Sequence, residues 1–195
     1  MTETLLTSRL ALHPIGMTDH HALLTHWTGP VVRRHLFDGA SISPVQVTEI
    51  IETSERDFAT EGYGLWALRP LRGGPAPAEP RPGAPLIGVA GLRGHEGPFD
   101  RGVDVEILYS LEPDRWGQGL AAEASRAVLD YAFGVVGLRR VTAEFDPDSA
   151  VSAEVAASLG MRPWRGGASG PDGPSYYAAD RSGWLGSRRG IDAVP

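Results

Sequence analysis

The chain has no cysteine among its 195 residues. That excludes disulfides, zinc–thiolate centres and a cysteine nucleophile, and it fits a reducing compartment. No apolar run reaches the roughly 18 residues that a membrane-spanning helix needs. The first residues lack a basic stretch followed by a long apolar one, so no secretory signal is expected. The expected location is therefore cytoplasmic, away from membranes. Basic charge is scarce too: Lys and Arg total 18 against 24 Asp and Glu, a net charge of −6. Nucleic-acid binders usually show a basic face, so no nucleic-acid partner is expected. The arginine pairs at 33–34, 139–140 and 188–189 read as solvated surface. The histidines at 20, 21 and 26 have no matching carboxylate pattern for a metal and read as a solvated helix face; no metal is expected.

What is present suits one domain, residues 1–180, followed by a polar tail at 181–195. A chain of this length buries about 70% of its unfolded surface, enough for a core without staples. "SRLALH" alternates into a first strand. Asp19 is expected to cap a short helix through Leu23, Leu24 and Trp27, broken at Gly29–Pro30. Ser43–Pro44 opens a second helix with Val47, Ile50, Ile51, Ser54 and Phe58 on one stripe. "YGLWALRPL", "LIGVAGLRG" and "VDVEILYSL" are three strands. Residues 70–85, "PLRGGPAPAEPRPGAP", cannot be regular structure and are expected to form a mobile hairpin loop. A helix from Gly119, the strand "RRVTAEF", a helix over "SAVSAEVAASLG", and the strands "MRPW" and "SYYAAD" complete the chain. This order predicts an α/β fold: a mixed, mostly antiparallel sheet of about seven strands with about four helices.

"EPDRWGQGLAAEA", residues 112–124, brings two glycines to the start of a helix. A helix N-terminus exposes unpaired N–H groups and a partial positive charge, and glycine lets an anion approach the backbone. The stretch is either a phosphate cradle or a strand-to-helix turn that binds nothing. Gly117, Gly119 and Ala122 also fit a dinucleotide fingerprint, with Glu144 ending the next strand. In that fold the first glycine follows the strand directly, whereas here "EPDRW" intervenes and antiparallel strands precede. A P-loop is excluded because no Gly-Lys-Ser/Thr follows.

"VEILYSLEPDRWGQGLAAEA" resembles the central motif of the GNAT N-acyltransferase superfamily. Its form is that of the ribosomal-protein N-terminal acetyltransferase (RimJ/RimL-type) branch, an acidic strand ending in Tyr and then "WGxGxAxEA". Gly119 and Ala121 fill the last two fixed positions of the loop pattern, and Trp116 stands where Arg or Gln is general. "TSRLALHP" resembles the branch's opening "TxRLxLRP", with His13 in place of Arg. "DPDSAVSAEVAASLGM" resembles its "xxxNxxSxxxxxKxGF", with Ser149 for Asn, Ser152 retained and Met161 for Phe. The likeness spans roughly residues 7–180, three motifs in order.

The resemblance implies the GNAT fold and an acyl-CoA co-substrate, acetyl-CoA. The pyrophosphate would lie on the N–H groups of Gly117, Gln118, Gly119, Leu120 and Ala121, beside Trp116. The pantetheine arm would add to the strand edge at Leu108, Tyr109, Ser110 and Leu111 as a peptide adds to a sheet. Ser149 and Ser152 would flank the thioester. An attacking ammonium must first lose a proton. Glu106 is the candidate base: Asp104, Glu106, Leu108 and Ser110 share the strand face opposite Val103, Val105, Ile107, Tyr109 and Leu111. The alternative for Glu106 is a solvated strand residue. A backbone N–H near Leu108–Tyr109 would meet the oxyanion. The helix tyrosine that protonates the thiolate in many relatives falls at Ala156 here, and Ser152 is the substitute. His35 and Phe37, expected in the loop after the first helix, are candidate acceptor-binding residues. His95–Glu96, expected in the turn before the key strand, are weaker ones. Trp164, Tyr176 and Tyr177 are expected to pack the final hairpin.

The expected activity is N-acetyl transfer from acetyl-CoA to a primary amine by direct attack, in a monomer or homodimer. The acceptor is a protein N-terminus or a small-molecule amine. A non-catalytic acyl-CoA-binding protein and a dinucleotide-binding protein are the competing readings.

Overall fold

The computed structural model describes residues 3–37, 39–71, 84–96, 103–146, 149–164 and 175–189. The strands are β1 (Leu5–Leu6), β2 (Leu10–Pro14), β3 (Leu65–Pro70), β4 (Gly88–Glu96), β5 (Val103–Leu111), β6 (Arg140–Phe145), β7 (Arg162–Pro163) and β8 (Ser175–Asp180). The α-helices are α1 (His20–Thr28), α2 (Val32–Leu36), α3 (Pro44–Thr60), α4 (Leu120–Tyr131), α5 (Ala150–Ser158) and α6 (Arg181–Arg189). Among the described residues, all eight strands join one sheet in the order β1-β2-β3-β4-β5-β6-β8-β7. Strands β1 to β5 pair antiparallel in sequence order. Strand β5 then runs parallel to β6. A parallel pair needs a crossover connection, and α4 supplies it. This is the mixed, mostly antiparallel architecture expected.

Alternation along the strands feeds two cores. In β3, Trp66 and Leu68 enter the core shared with Leu120, Val128, Ala156 and Trp184 of α4, α5 and α6. Leu65 and Ala67 enter the opposite core with Leu23, Trp27, Val32, Val47 and Ile51 of α1, α2 and α3. Because helices cover both faces, the central strands are apolar on both sides. Trp66 is fully buried, stands edge-on to Phe58 and Tyr131, and donates its indole N–H to Glu3 O.

The start of α3 follows its sequence signal. Ser43 Oγ accepts from Gln46 N at 3.2 Å, Gln46 Oε1 accepts from Ser43 N at 2.9 Å, and Pro44 occupies the first turn. Three expectations are corrected. Asp19 makes no side-chain cap on α1; its carboxylate accepts from Gly16 N and pairs with Arg69. Residues 32–36 form α2 rather than a loop. Residues 181–189, read as the start of a polar tail, form α6, because Trp184 supplies an apolar anchor, 8% exposed, with its indole N–H on Asp130 Oδ1. Of the expected hairpin loop, residues 72–83 lie outside the described residues. Among the described residues no helix is long and apolar enough to cross a membrane.

Candidate active site

Strands β5 and β6 share a single paired position, Glu106 opposite Thr142. Beyond it β6 continues to pair with β8 through Phe145, and β5 continues along β4 to Leu111. The two strands therefore part after Glu106 and leave a wedge between residues 107–111 and 143–145. Peptide direction alternates along a strand. Glu112 N donates to Ile87 O, so even-numbered peptide groups of β5 turn toward β4. Val105 O accepts from Thr142 Oγ1, so odd-numbered groups turn toward β6. Of the four residues expected to hold a pantetheine arm, Tyr109 and Leu111 aim main-chain groups into the wedge. Leu108 and Ser110 aim theirs at β4. Leu111 O already accepts from Trp116 Nε1 at 2.9 Å.

The glycine loop follows directly. Gly117 and Gly119 have φ of +70° and +73°, a left-handed backbone that glycine adopts without strain, and Gly119 is the residue preceding α4. A Cβ built on Gly117 meets nothing within 4 Å, so the loop surface is open. Leu120 points into the core, whereas Trp116 is half exposed. Gln118 donates its side-chain amide to Asp114 O, and its own carbonyl accepts from Arg9 Nη1 at 2.8 Å. Arg9 Nε in turn bonds Glu123 Oε2 at 2.6 Å. The other oxygen of Glu123 accepts from Thr7 Oγ1, Ser8 Oγ and Arg9 N. Burial works to raise the Glu123 carboxyl, but the bonds from Thr7, Arg9 and Ser8 outweigh it and hold the group below its ordinary value.

Glu106 is 5% exposed and not the solvated strand residue of the alternative reading. Its Oε2 accepts from Arg93 Nε at 2.9 Å, from the directly opposing residue of β4. The Tyr176 hydroxyl is raised by burial first, then by the Glu144 carboxylate and by Glu106. Carboxylates thus gather where β5, β6 and β8 meet. Helix α2 packs against β5, so His35 and Phe37 belong to elements on the Glu106 face. Phe37 packs edge-on to Trp27 at 6.1 Å. The His35 side chain lies outside the described residues. His95 and Glu96 end β4 rather than sit in a turn, with His95 opposite Asp104. In the closing hairpin Tyr177 stacks on Phe145 at 5.1 Å, and Trp164 lies under the Arg140 guanidinium.

On the opposite face Ser149 Oγ donates to Ser152 Oγ at 2.8 Å. Burial raises the Tyr109 hydroxyl, and a hydrogen bond with Ser152 offsets part of that. Tyr109 of β5, Ser149 just before α5 and Ser152 within it are therefore one cluster, although about 40 residues separate them in sequence. Ala156 is 3% exposed inside the core, so a tyrosine at that position has no room.

Sequence reasoning missed His26. It is 2% exposed and not part of a solvated face. Its Nδ1 lies 2.7 Å from Glu112 Oε1, and its Nε2 lies 2.8 Å from Ser110 Oγ. Burial pushes the imidazole below its ordinary value, against the bond and charge of Glu112. A neutral ring beside an acceptor-only carboxylate donates through Nδ1, which leaves Nε2 to accept from the Ser110 hydroxyl. Ser110, counted among the cofactor residues, thus spends its side chain on α1. The one sequence clue was position: His26 lies three residues after Leu23 and beside Trp27, inside the apolar stripe.

Comparison with known proteins gives concordant results. The family model described as an acetyltransferase (GNAT) domain matches residues 9–162. An uncharacterized N-acetyltransferase, p20 of Bacillus licheniformis, is 26% identical over 160 residues, 82% of this chain and 83% of that protein. The crystal structure of the acetyltransferase from Agrobacterium tumefaciens str. C58 superposes with a TM-score of 0.72 at 22% identity, covering 92% of this chain and 95% of that one. The aminoglycoside acetyltransferase AAC(6′)-Ib, solved in complex with coenzyme A, superposes with a TM-score of 0.69 at 17% identity, covering 92% and 99%. At these identities the superpositions speak to the fold.

Proposed function

The chain belongs to the acetyltransferase (GNAT) domain family, and from that premise we propose that it moves the acetyl group of acetyl-CoA to a primary amine by direct attack. The observation that carries this reading is the wedge after the single Glu106–Thr142 pair, which opens toward the glycine loop at the start of α4. A strand edge with Tyr109 peptide groups turned outward suits an extended amide-bearing arm. An open loop with two left-handed glycines suits a pyrophosphate. When bound, acetyl-CoA supplies the acetyl group as a thioester.

The roles of this chain's residues follow from their places. The Tyr109 N–H, directed into the wedge, is the donor for an oxyanion. Glu106 receives the proton of the incoming ammonium, directly or through a water, while Arg93 fixes the orientation of its carboxylate. Ser152, held by Ser149 and Tyr109, presents a hydroxyl to the departing sulfur and orients it. A thiol of pKa about 8.5 leaves readily as thiolate, so a strong acid is not required. His35 and Phe37 border the acceptor. The acceptor is a protein N-terminus or a small-molecule amine, and the likeness of the three motifs to the ribosomal-protein N-terminal acetyltransferase branch supports the first of these. The chain has no lysine, since all 18 of its basic residues are arginine. It therefore offers no side-chain amine to its own reaction.

Thermal melting with acetyl-CoA, CoA, NAD and ATP tests this reading. A ligand at about 100 times its Kd stabilises by roughly 2.7 kcal/mol. A rise in Tm with acetyl-CoA and CoA, and none with NAD, is expected. A rise with NAD alone would overturn the proposal.

A further inference from the structure

We propose that Arg9, clamped by Glu123, is a positioning residue that sets the conformation of the cofactor loop and thereby the affinity for the two linked phosphates of coenzyme A. This rests on the reading that those phosphates lie on residues 117–121. Thr7 and Arg9 come from the first resembling motif and Glu123 from the second. The proposed chemistry uses neither group. In the fold they form one hydrogen-bonded cluster across more than a hundred residues of sequence.

Elsewhere in the loop Trp116 Nε1 donates to Leu111 O and the Gln118 side chain donates to Asp114 O, but neither bond engages the peptide between Gln118 and Gly119. Gly117 has open space where a side chain would be, and at Gly119 a Cβ would approach only Arg9 Nη2, at 3.7 Å. Glycine at both positions leaves several backbone conformations accessible. The bond from Arg9 Nη1 to Gln118 O selects one of them. A peptide is planar and trans, so its carbonyl and N–H point in opposite directions. Drawing the Gln118 carbonyl toward Arg9 therefore turns the Gly119 N–H away from Arg9, to the open side of the loop. The N–H groups of the first turn of α4 are unpaired within the helix and add to the same surface.

Charge makes the same demand. Glu123 sits in the first turn of α4, and its depressed titration keeps it ionised at neutral pH. A bare carboxylate there would repel an anion at the helix start. Arg9 neutralises it, and the Thr7 and Ser8 hydroxyls keep it turned toward the strand start. The guanidinium also bridges Glu123 and Gln118 at once, which the single ammonium of lysine cannot reproduce in that geometry.

The test is CoA binding by titration calorimetry, with pantetheine, which carries no phosphate, as the second ligand. Arg9→Met is expected to raise the Kd for CoA about tenfold and to change that for pantetheine by less than about twofold. Arg9→Met with Glu123→Gln removes the repulsion but not the lost bond to Gln118, so it recovers only part of the affinity. Arg9→Lys gives an intermediate Kd and serves if the Met variant does not fold. An unchanged CoA Kd in Arg9→Met and Arg9→Lys overturns the proposal, as does equal weakening of CoA and pantetheine. Gly119→Val tells the two failures apart. If it weakens CoA while the Arg9 variants do not, only the clamp is wrong; if it too has no effect, the loop reading falls with it.

Discussion

Replacing His26 by alanine is expected to cost about 3 kcal/mol of stability, by the following reckoning. The imidazole makes one bond to a carboxylate and one to a buried hydroxyl. A bond to a charged group contributes about 1.5–3 kcal/mol. The Glu112 side chain is 37% exposed and can rehydrate, so the lower end applies. Ser110, 9% exposed, is left with an unmet hydroxyl, which costs about 1–3 kcal/mol. A loss of about 3 kcal/mol lowers Tm by roughly 6–12 °C in a domain of this size. Ser110→Ala in the same background should return about 1 kcal/mol, because the orphaned hydroxyl goes with it. The pH dependence has a definite sign. The folded-state value of His26 lies below that of the unfolded chain. The unfolded state therefore binds more protons as pH falls, and the His26 contribution is complete above about pH 6.5 and lost below it. Urea unfolding between about pH 7.5 and pH 5 reads this above the carboxylate range. Wild type should lose stability across that window, and His26→Gln should flatten the slope. Identical slopes in the two proteins, or an additive His26/Ser110 cycle, would refute the reasoning.

Three further outcomes are expected. Glu106→Gln should lower kcat/KM for amine acetylation by about 100-fold or more while the Kd for CoA stays the same, checked by thiol release and calorimetry; retained turnover would remove Glu106 from the chemistry. Gly88→Ala should destabilise by at least about 3 kcal/mol, because its Cβ would lie 2.2 Å from Ser110 O and 3.0 Å from Leu111 Cα, both backbone atoms of β5. Gly117→Ala, which carries only the left-handed backbone penalty, should cost about 1–2 kcal/mol in the same urea titration.

Local pattern carried far in this chain. The alternation of "VDVEILYSL" set Glu106 against the apolar set, and β5 spans those nine residues. The Ser43–Pro44 start needed only a cap and a fixed φ, and it is where the sequence places it. The short α2 escaped notice because five residues cannot show a helical period, and α6 because one tryptophan among polar residues reads as a tail. His26 was misread for a related reason: a histidine in an apolar stripe gives no sign of whether buried partners await it. Its partners are a β5 hydroxyl and the carboxylate just beyond that strand.

By itself the sequence determined the order of the longer strands and helices, the glycine loop at the head of α4 and the carboxylate on β5. Each depends on residues within a few positions of one another, where dihedral preference and side-chain period act. Only the tertiary structure decided that β5 and β6 part after one pair, that Tyr109 meets Ser152, that Arg93 holds Glu106 and that Arg9 with Glu123 grips the loop. Those contacts join residues from about 13 to more than 100 positions apart, and packing the helices on both faces of the sheet is what brings them within reach.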